Sequence, residues 1–232
     1  MQARDVMTTQ VITVAPDTDV KEIAKRLLES GISAVPVVER DGRIIGIVSE
    51  GDLMRRSESD TERRSSWWLS LLLLPEQKAI DYVKTHGHRA ADVMTRQVIT
   101  ANDDASLGEV AEILEKHRIK RVPVVRSDKL VGIVSRANLL HGLVARQSGA
   151  KPSMEDRKIK AAVEKNLAGA GVRTQLLNVV VSGGVVHVWG VVVTPEEQAA
   201  VLVAAEDAPG VKEIRANVDV LPFYMRPFIR AG

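Results

Sequence analysis

Asp5-Val6-Met7-Thr8-Thr9-Gln10-Val11-Ile12-Thr13 returns 87 residues later as Asp92-Val93-Met94-Thr95-Arg96-Gln97-Val98-Ile99-Thr100. From Asp5/Asp92 to Val38/Val125 the two copies align without a gap, and 17 of 34 positions are identical. After a one-residue deletion the copies close on Gly46-Ile47-Val48-Ser49 and Gly132-Ile133-Val134-Ser135. Two copies are too few for a solenoid, whose units need neighbours on both sides. An α/β pair is therefore expected, packed about a pseudo-two-fold axis with a ligand cleft between the halves.

Each copy reads strand, helix, strand, strand, helix. Val11 to Val14 is a short β-rich run. Asp19-x-x-Glu22 and Ser106-x-x-Glu109 are capping patterns at equivalent positions. Val20, Ile23, Ala24 and Leu27 form a helical stripe, matched by Leu107, Val110, Ala111 and Leu114. Val35-Pro36-Val37-Val38 and Val122-Pro123-Val124-Val125 follow, then turns and the apolar runs Ile44 to Val48 and Leu130 to Val134. A short helix is expected to open at Asp52 and at Asn138, both good N-cap residues.

Outside the copies the grammar changes. Residues 57–90 form an insertion with a Trp67-Trp68-Leu69 segment and a helix signalled by Pro75 and Gly87. Residues 148–153 read as a linker. Residues 154–222 predict a small α+β domain of order α-β-β-α-β: Ser153-x-x-Asp156 starts a helix bearing Ile159, Val163 and Leu167. Ser182-Gly183-Gly184 joins a hairpin, Thr194-Pro195-Glu196-Glu197 starts a second helix, and Val211 to Val220 is the last strand. Residues 223–232 are an aromatic and basic tail. The repeats are delimited as 1–56 and 91–147.

The formal charge of +2 carries no electrostatic footprint for nucleic acid, and none is expected as partner. The absence of cysteine excludes disulfides, thiolate zinc sites and thiol nucleophiles. The start, Gln2-Ala3-Arg4-Asp5, lacks an apolar signal core, and no apolar run approaches the roughly 20 residues of a membrane span. A cytoplasmic protein is expected, with the inner membrane face as an alternative location. No G-x-G-x-x-G, P-loop lysine or H-E-x-x-H occurs. His86-x-His88 lacks further ligands at metal-site spacing. No enzyme, catalytic residue, required cofactor or metal is expected.

The chemistry concentrates at the end of each copy. Asp52 lies three residues after Ser49, where strand gives way to helix. A carboxylate there can accept from two vicinal ribose hydroxyls, and Ser49 can donate to a ligand oxygen. A helix cap is the competing use of Asp52. In the second copy Asn138 takes its place after Ser135, and an amide accepts two hydroxyls less well. Lys120, Arg121 and Arg136 stand where the first copy has Ser33, Ala34 and Glu50. An asymmetric site follows: Asp52 grips ribose and the second copy supplies positive charge for phosphates.

Asp-Val-Met-Thr, Val-Pro-Val-Val and Gly-Ile-Val-Ser-x-x-Asp/Asn-Leu together resemble the tandem CBS-domain pair. Gly184, Gly190 and Pro209-Gly210-Val211 make the C-terminal unit similar to a BON domain, by a looser pattern. The first resemblance implies a regulatory adenosine ligand (AMP, ADP, ATP, NAD or S-adenosylmethionine). It also implies an adenine edge held by backbone around Ile12-Thr13 and Ala34-Val35-Pro36, with Thr100, Val122 and Pro123 as counterparts. The second implies attachment to a phospholipid surface or a protein partner. A homodimeric nucleotide sensor signalling through its BON domain is expected; a ligand-independent dimeric scaffold and a peripheral membrane-attachment protein are the alternatives.

Trp67, Trp68, Phe223, Tyr224 and Phe228 mark either an interaction surface or a covered flank or dimer contact. In the small domain, alternation places Val186, Val188, Gly190 and Val192 on one sheet face. Val185, His187, Trp189, Val191 and Val193 lie on the other. One face packs on the helices, so the other is expected to be an exposed apolar surface for a partner or lipid, or to be covered within a dimer.

Overall fold

Short cap signals and alternating β-branched runs build most of the elements. The computed structural model describes residues 1–54, 87–146 and 152–222. The Trp67-Trp68 segment with its helix, most of the linker, and Phe223, Tyr224 and Phe228 lie outside the described residues. The elements are α1 (Ala3–Val6), α2 (Val20–Ser30), β1 (Ala34–Val38), β2 (Ile44–Ser49) and α3 (Glu50–Met54). They continue with α4 (Ala90–Val93), β3 (Ala101–Asn102), α5 (Leu107–Lys116), β4 (Arg121–Arg126), β5 (Lys129–Ser135) and α6 (Arg136–Ala145). The small domain comprises α7 (Met154–Gly169), β6 (Leu177–Ser182), β7 (Val185–Val192), α8 (Pro195–Glu206) and β8 (Glu213–Val220). No helix among the described residues is long and apolar enough to cross a membrane.

The chain divides into two compact units, and the division exchanges the opening motifs. Residues 1–11 join the second repeat and the small domain, whereas residues 12–98 form the other unit. In the first unit Thr8 bridges Ile133; in the second, Thr95 bridges Ile47. Each motif methionine lies on the closing-motif glycine of the other copy: a Cβ at Gly132 would overlap Met7 Sδ and stand 3.0 Å from the Thr8 carbonyl. A Cβ at Gly46 would overlap Met94 Sδ in the same way. Each opening motif therefore finds its sheet partner in the closing strand of the other copy.

Within each repeat β-strands pair antiparallel, β1 with β2 and β4 with β5. Apolar stripes of α2 (Val20, Ile23, Leu27) and α5 (Val110, Leu114) cover them. The expected Val11–Val14 strand contracts to one parallel bridge, Val14 to Val37, while its counterpart pairs two residues. Ser106 and Glu109 form the expected capping box. Asp19 caps only Lys21 N–H, and Glu22 turns to Arg26. The closing helices start earlier than read: Ser135 is the N-cap of α6 and Asn138 its third residue, and Ser49 and Asp52 share the same reciprocal bonds.

The small domain has sheet order β6-β7-β8, antiparallel then parallel. Val179, Val181, Val186, Val188 and Val192 join Ile159, Val163 and Leu167 in its helix-side core. The opposite face is not open, contrary to expectation. Val180 is fully buried in the second repeat's core, with Trp189 packed beside it. Trp189 stacks on His141 of α6, with ring centroids 4.4 Å apart. The face is thus covered by the chain's own second repeat, which offers it apolar area and a ring.

His187 stacks behind Trp189 at 5.2 Å and is 3% exposed, with Nε2 unbonded. Burial lowers its pKa below the ordinary histidine value, Arg215 adds to this, and Glu213 opposes it. The unfolded chain takes up this proton near pH 6.5 and the folded chain only lower, so the stabilisation is full above that pH and is lost on further acidification. Unfolding free energy in urea is expected to fall between pH 7.5 and 5.0, and His187→Gln to flatten part of that slope. An unchanged slope in the variant would place the titration elsewhere. Gly132→Ala is expected to destabilise by about 1–3 kcal/mol through overpacking. The same denaturation series checks it, with Gly132→Ala/Met7→Ala costing less than the sum of the single changes if Met7 is the obstacle.

Candidate functional site

Strand pairing sets the first corner. Ala34 lies opposite Ser49, and Glu50 N–H bonds the Ser33 carbonyl at 3.0 Å. The chain then turns into α3, and Asp52 returns toward Ser49. Asp52 Oδ2 accepts from Ser49 N–H at 2.9 Å and from Ser49 Oγ–H at 2.6 Å. Ser49's hydroxyl proton is thereby given to Asp52, which orients the carboxylate. Asp52 Oδ1 takes no hydrogen bond among the described residues. The side chain is half-buried, which leaves a fixed, charged acceptor reachable from solvent. One oxygen of the carboxylate is thus used by the turn, and the other is left out of it.

Of the residues expected at an adenine edge, Ile12, Thr13, Ala34, Val35 and Pro36 fall in the same unit as Asp52. Val35 is fully buried and Pro36 buried, and the Pro36 carbonyl is taken by Val14 N–H at 3.0 Å. Ile12 and Thr13 are half-buried, and the Thr13 carbonyl accepts from Arg26 Nη1 at 3.3 Å. Each of these two carbonyls keeps one lone pair. A cavity of about 780 Å³ opens at the opposite end of β1, lined by Thr13, Pro16, Arg26, Val38, Glu39 and Asp41. It contains neither Ser49 nor Asp52, so its size does not bear on the ribose position.

The second repeat reproduces the backbone and changes the chemistry. Arg121 lies opposite Ser135, and Arg136 N–H bonds the Lys120 carbonyl at 3.3 Å. The sheet therefore gathers Lys120, Arg121 and Arg136 at one end. Lys120 and Arg136 are exposed and Arg121 half-buried, and none forms an ion pair among the described residues. Unneutralised cations held by a ladder suit anionic oxygens. Thr100 is half-buried, whereas Val122 and Pro123 are buried.

Asn138 stands apart from these. It is 6% exposed, with Oδ1 accepting from Ser135 N–H at 2.7 Å and Oγ–H at 2.6 Å. Its Nδ2 donates to the Val6 carbonyl at 3.2 Å. The amide oxygen is saturated and one of the two Nδ2 N–H groups is bonded.

Sequence reading missed the residues that hold this corner to the small domain. Asn178 Nδ2 donates to the same Val6 carbonyl at 2.7 Å, and Asn178 Oδ1 meets His141 Nδ1 at 3.0 Å. Lys160, 6% exposed, donates to the carbonyls of Met7 (2.9 Å), Asp5 (3.2 Å) and Arg4 (3.4 Å). Burial pulls the lysine below its ordinary range, while Glu164 and Asp5 oppose this. Arg157 Nε reaches Asp5 at 2.8 Å. The available signal was a lysine beside Ile159 on an otherwise apolar helical stripe. Among the described residues no group of histidines and carboxylates is placed to hold a metal, and His86 lies outside them.

Comparison with known proteins follows the same division. The CBS-domain profile matches residues 3–59 and 90–145, and the BON-domain profile residues 155–222. An uncharacterised protein of Methanocaldococcus jannaschii is 31% identical over 155 residues, 62% of this chain and 92% of its own length. The chloroplastic CBS domain-containing protein CBSX1 of Arabidopsis thaliana is 33% identical over 147 residues, 59% of this chain and 61% of its own. The crystal structure of CBSX2 in complex with AMP resembles the chain with a TM-score of 0.53 and 26% identity, over 62% of this chain and 96% of that one. The mixed α/β repeats, their exchanged motifs and these matches agree: the chain belongs to the CBS-domain family and carries a CBS pair followed by a C-terminal BON domain.

Proposed function

We propose that the protein is a non-catalytic regulator whose CBS pair binds an adenosine-containing ligand, with AMP the first choice. The observation that carries this reading is the free Oδ1 of Asp52, fixed by Ser49 at the end of β2. A ribose presents two vicinal hydroxyl donors, and a held carboxylate oxygen is their natural acceptor. In the other unit Lys120, Arg121 and Arg136, gathered at one end of β4 and β5, carry charge that suits phosphate oxygens. The AMP complex of CBSX2 supports the choice of ligand class.

Regulation follows from linkage. A ligand shifts a conformational equilibrium only by its differential affinity for the two states. The BON domain, packed on the second repeat, carries the resulting state to a protein or lipid partner. Leu140, Leu143 and Val144 stand exposed on one side of α6 and support self-association of two copies.

Thermal unfolding of the full chain with AMP, ADP, ATP, NAD and S-adenosylmethionine tests the reading. At hundred-fold excess over Kd, a ligand specific for the folded chain stabilises by about 2.7 kcal/mol, roughly 5–10 °C in Tm at this length. Asp52→Ala is expected to weaken binding at least about tenfold, the loss of one charge-assisted hydrogen bond. No shift with any of the five would turn the reading toward a ligand-independent scaffold.

A further inference from the structure

The two repeats differ at one atom, and the difference inverts its use. Asp52 Oδ1 is an acceptor with no partner among the described residues. The matching atom in the second repeat is Asn138 Nδ2, a donor 3.2 Å from the Val6 carbonyl. A carboxylate at 52 cannot make that bond to Val93, the counterpart of Val6, because both atoms are acceptors. Both lone pairs of Asn138 Oδ1 are filled by Ser135, so the amide keeps no acceptor for a ribose hydroxyl. The Val6 carbonyl has two lone pairs, and Asn178 of the small domain takes the second at 2.7 Å.

We infer that Asn138 is a docking residue rather than a ligand residue: through the shared Val6 carbonyl it ties the N-terminal turn and the small domain to α6, and it leaves the chain one ribose position, at Asp52. The stoichiometric half of this inference rests on the proposed function; the docking half does not.

Hydrogen–deuterium exchange and calorimetric titration with AMP, both on the full chain, test the two halves. Asn138→Asp sets a carboxylate oxygen against the Val6 carbonyl, and is expected to speed exchange about tenfold or more over residues 3–8 and 177–182. Asp52→Asn, the same position in the first repeat, is expected to leave that region within about twofold of wild type. AMP is expected to bind at one equivalent per chain, to be lost in Asp52→Ala, and to keep its Kd within about threefold in Asn138→Ala. Unchanged exchange in Asn138→Asp overturns the docking role, and a second AMP equivalent removed by Asn138→Ala overturns the single ribose position. Should AMP bind nowhere, the proposed function and the stoichiometry fall together, while exchange still decides the docking. If Asn138→Asp does not fold, Asn138→Ala removes the donor to Val6 without setting a second acceptor against it and is read over the same residues, unchanged exchange again overturning the docking role.

Discussion

Four consecutive carbonyls at the end of a one-turn helix must find donors, and this need ties the larger unit together. The turn α1 is too short to bond its own C-terminal carbonyls, and buried carbonyls without partners are costly. Arg4, Asp5 and Met7 are served by Lys160, and Val6 by Asn138 and Asn178. Lys160 thus turns a charge that would resist burial into three hydrogen bonds, matching the three N–H bonds of an ammonium group. Only after these carbonyls are bonded can Val6 and Met7 lie in the second repeat's core. The sheet face of the small domain then closes over them.

The duplicated sequence makes visible what is backbone and what is chemistry. The motif aspartate keeps one bond in both copies: Asp5 accepts Gln2 N–H, and Asp92 accepts Arg89 N–H, each closing a short turn. The motif methionine and the closing glycine are likewise a matched pair, Met7 with Gly132 and Met94 with Gly46, since a side chain at either glycine would occupy the methionine's space. These positions recur because both copies need them to fold. Asp52 and Asn138 share a cap bond but differ in the second atom. That atom is free of the fold in one copy and bound into it in the other.

This explains what could be read in advance. Repeats, apolar stripes and most caps are local, and they emerged correctly from spacing; so did the α-β-β-α-β order of the small domain. The helix starts at Ser49 and Ser135 were misread because a Ser-x-x-Asp pair can be scanned from either end, and only hydrogen bonds show which residue precedes the helix. The exchange of opening motifs was illegible, since identical motifs fit either sheet. The covered face of the small domain was also hidden: alternation shows that Trp189 and Val180 face away from α7, but not what meets them. His141 and Asn178 carried no signal beyond being polar residues near apolar ones.

The exchange also bears on how a ligand at Asp52 could matter elsewhere. Thr8 is bridged to Ile133 in one unit and Val14 to Val37 in the other, so residues 9–13 are the covalent connection between them. The second connection runs from Thr95, bridged to Ile47, to Ala101, paired with Val124. Ile12, Thr13 and Thr100, the positions expected at a ligand from the sequence, lie on these connectors. A ligand that favours one conformation of a connector over another shifts the balance between them by that difference in affinity. The far end of the first connector is the turn whose carbonyls Lys160, Asn138 and Asn178 hold.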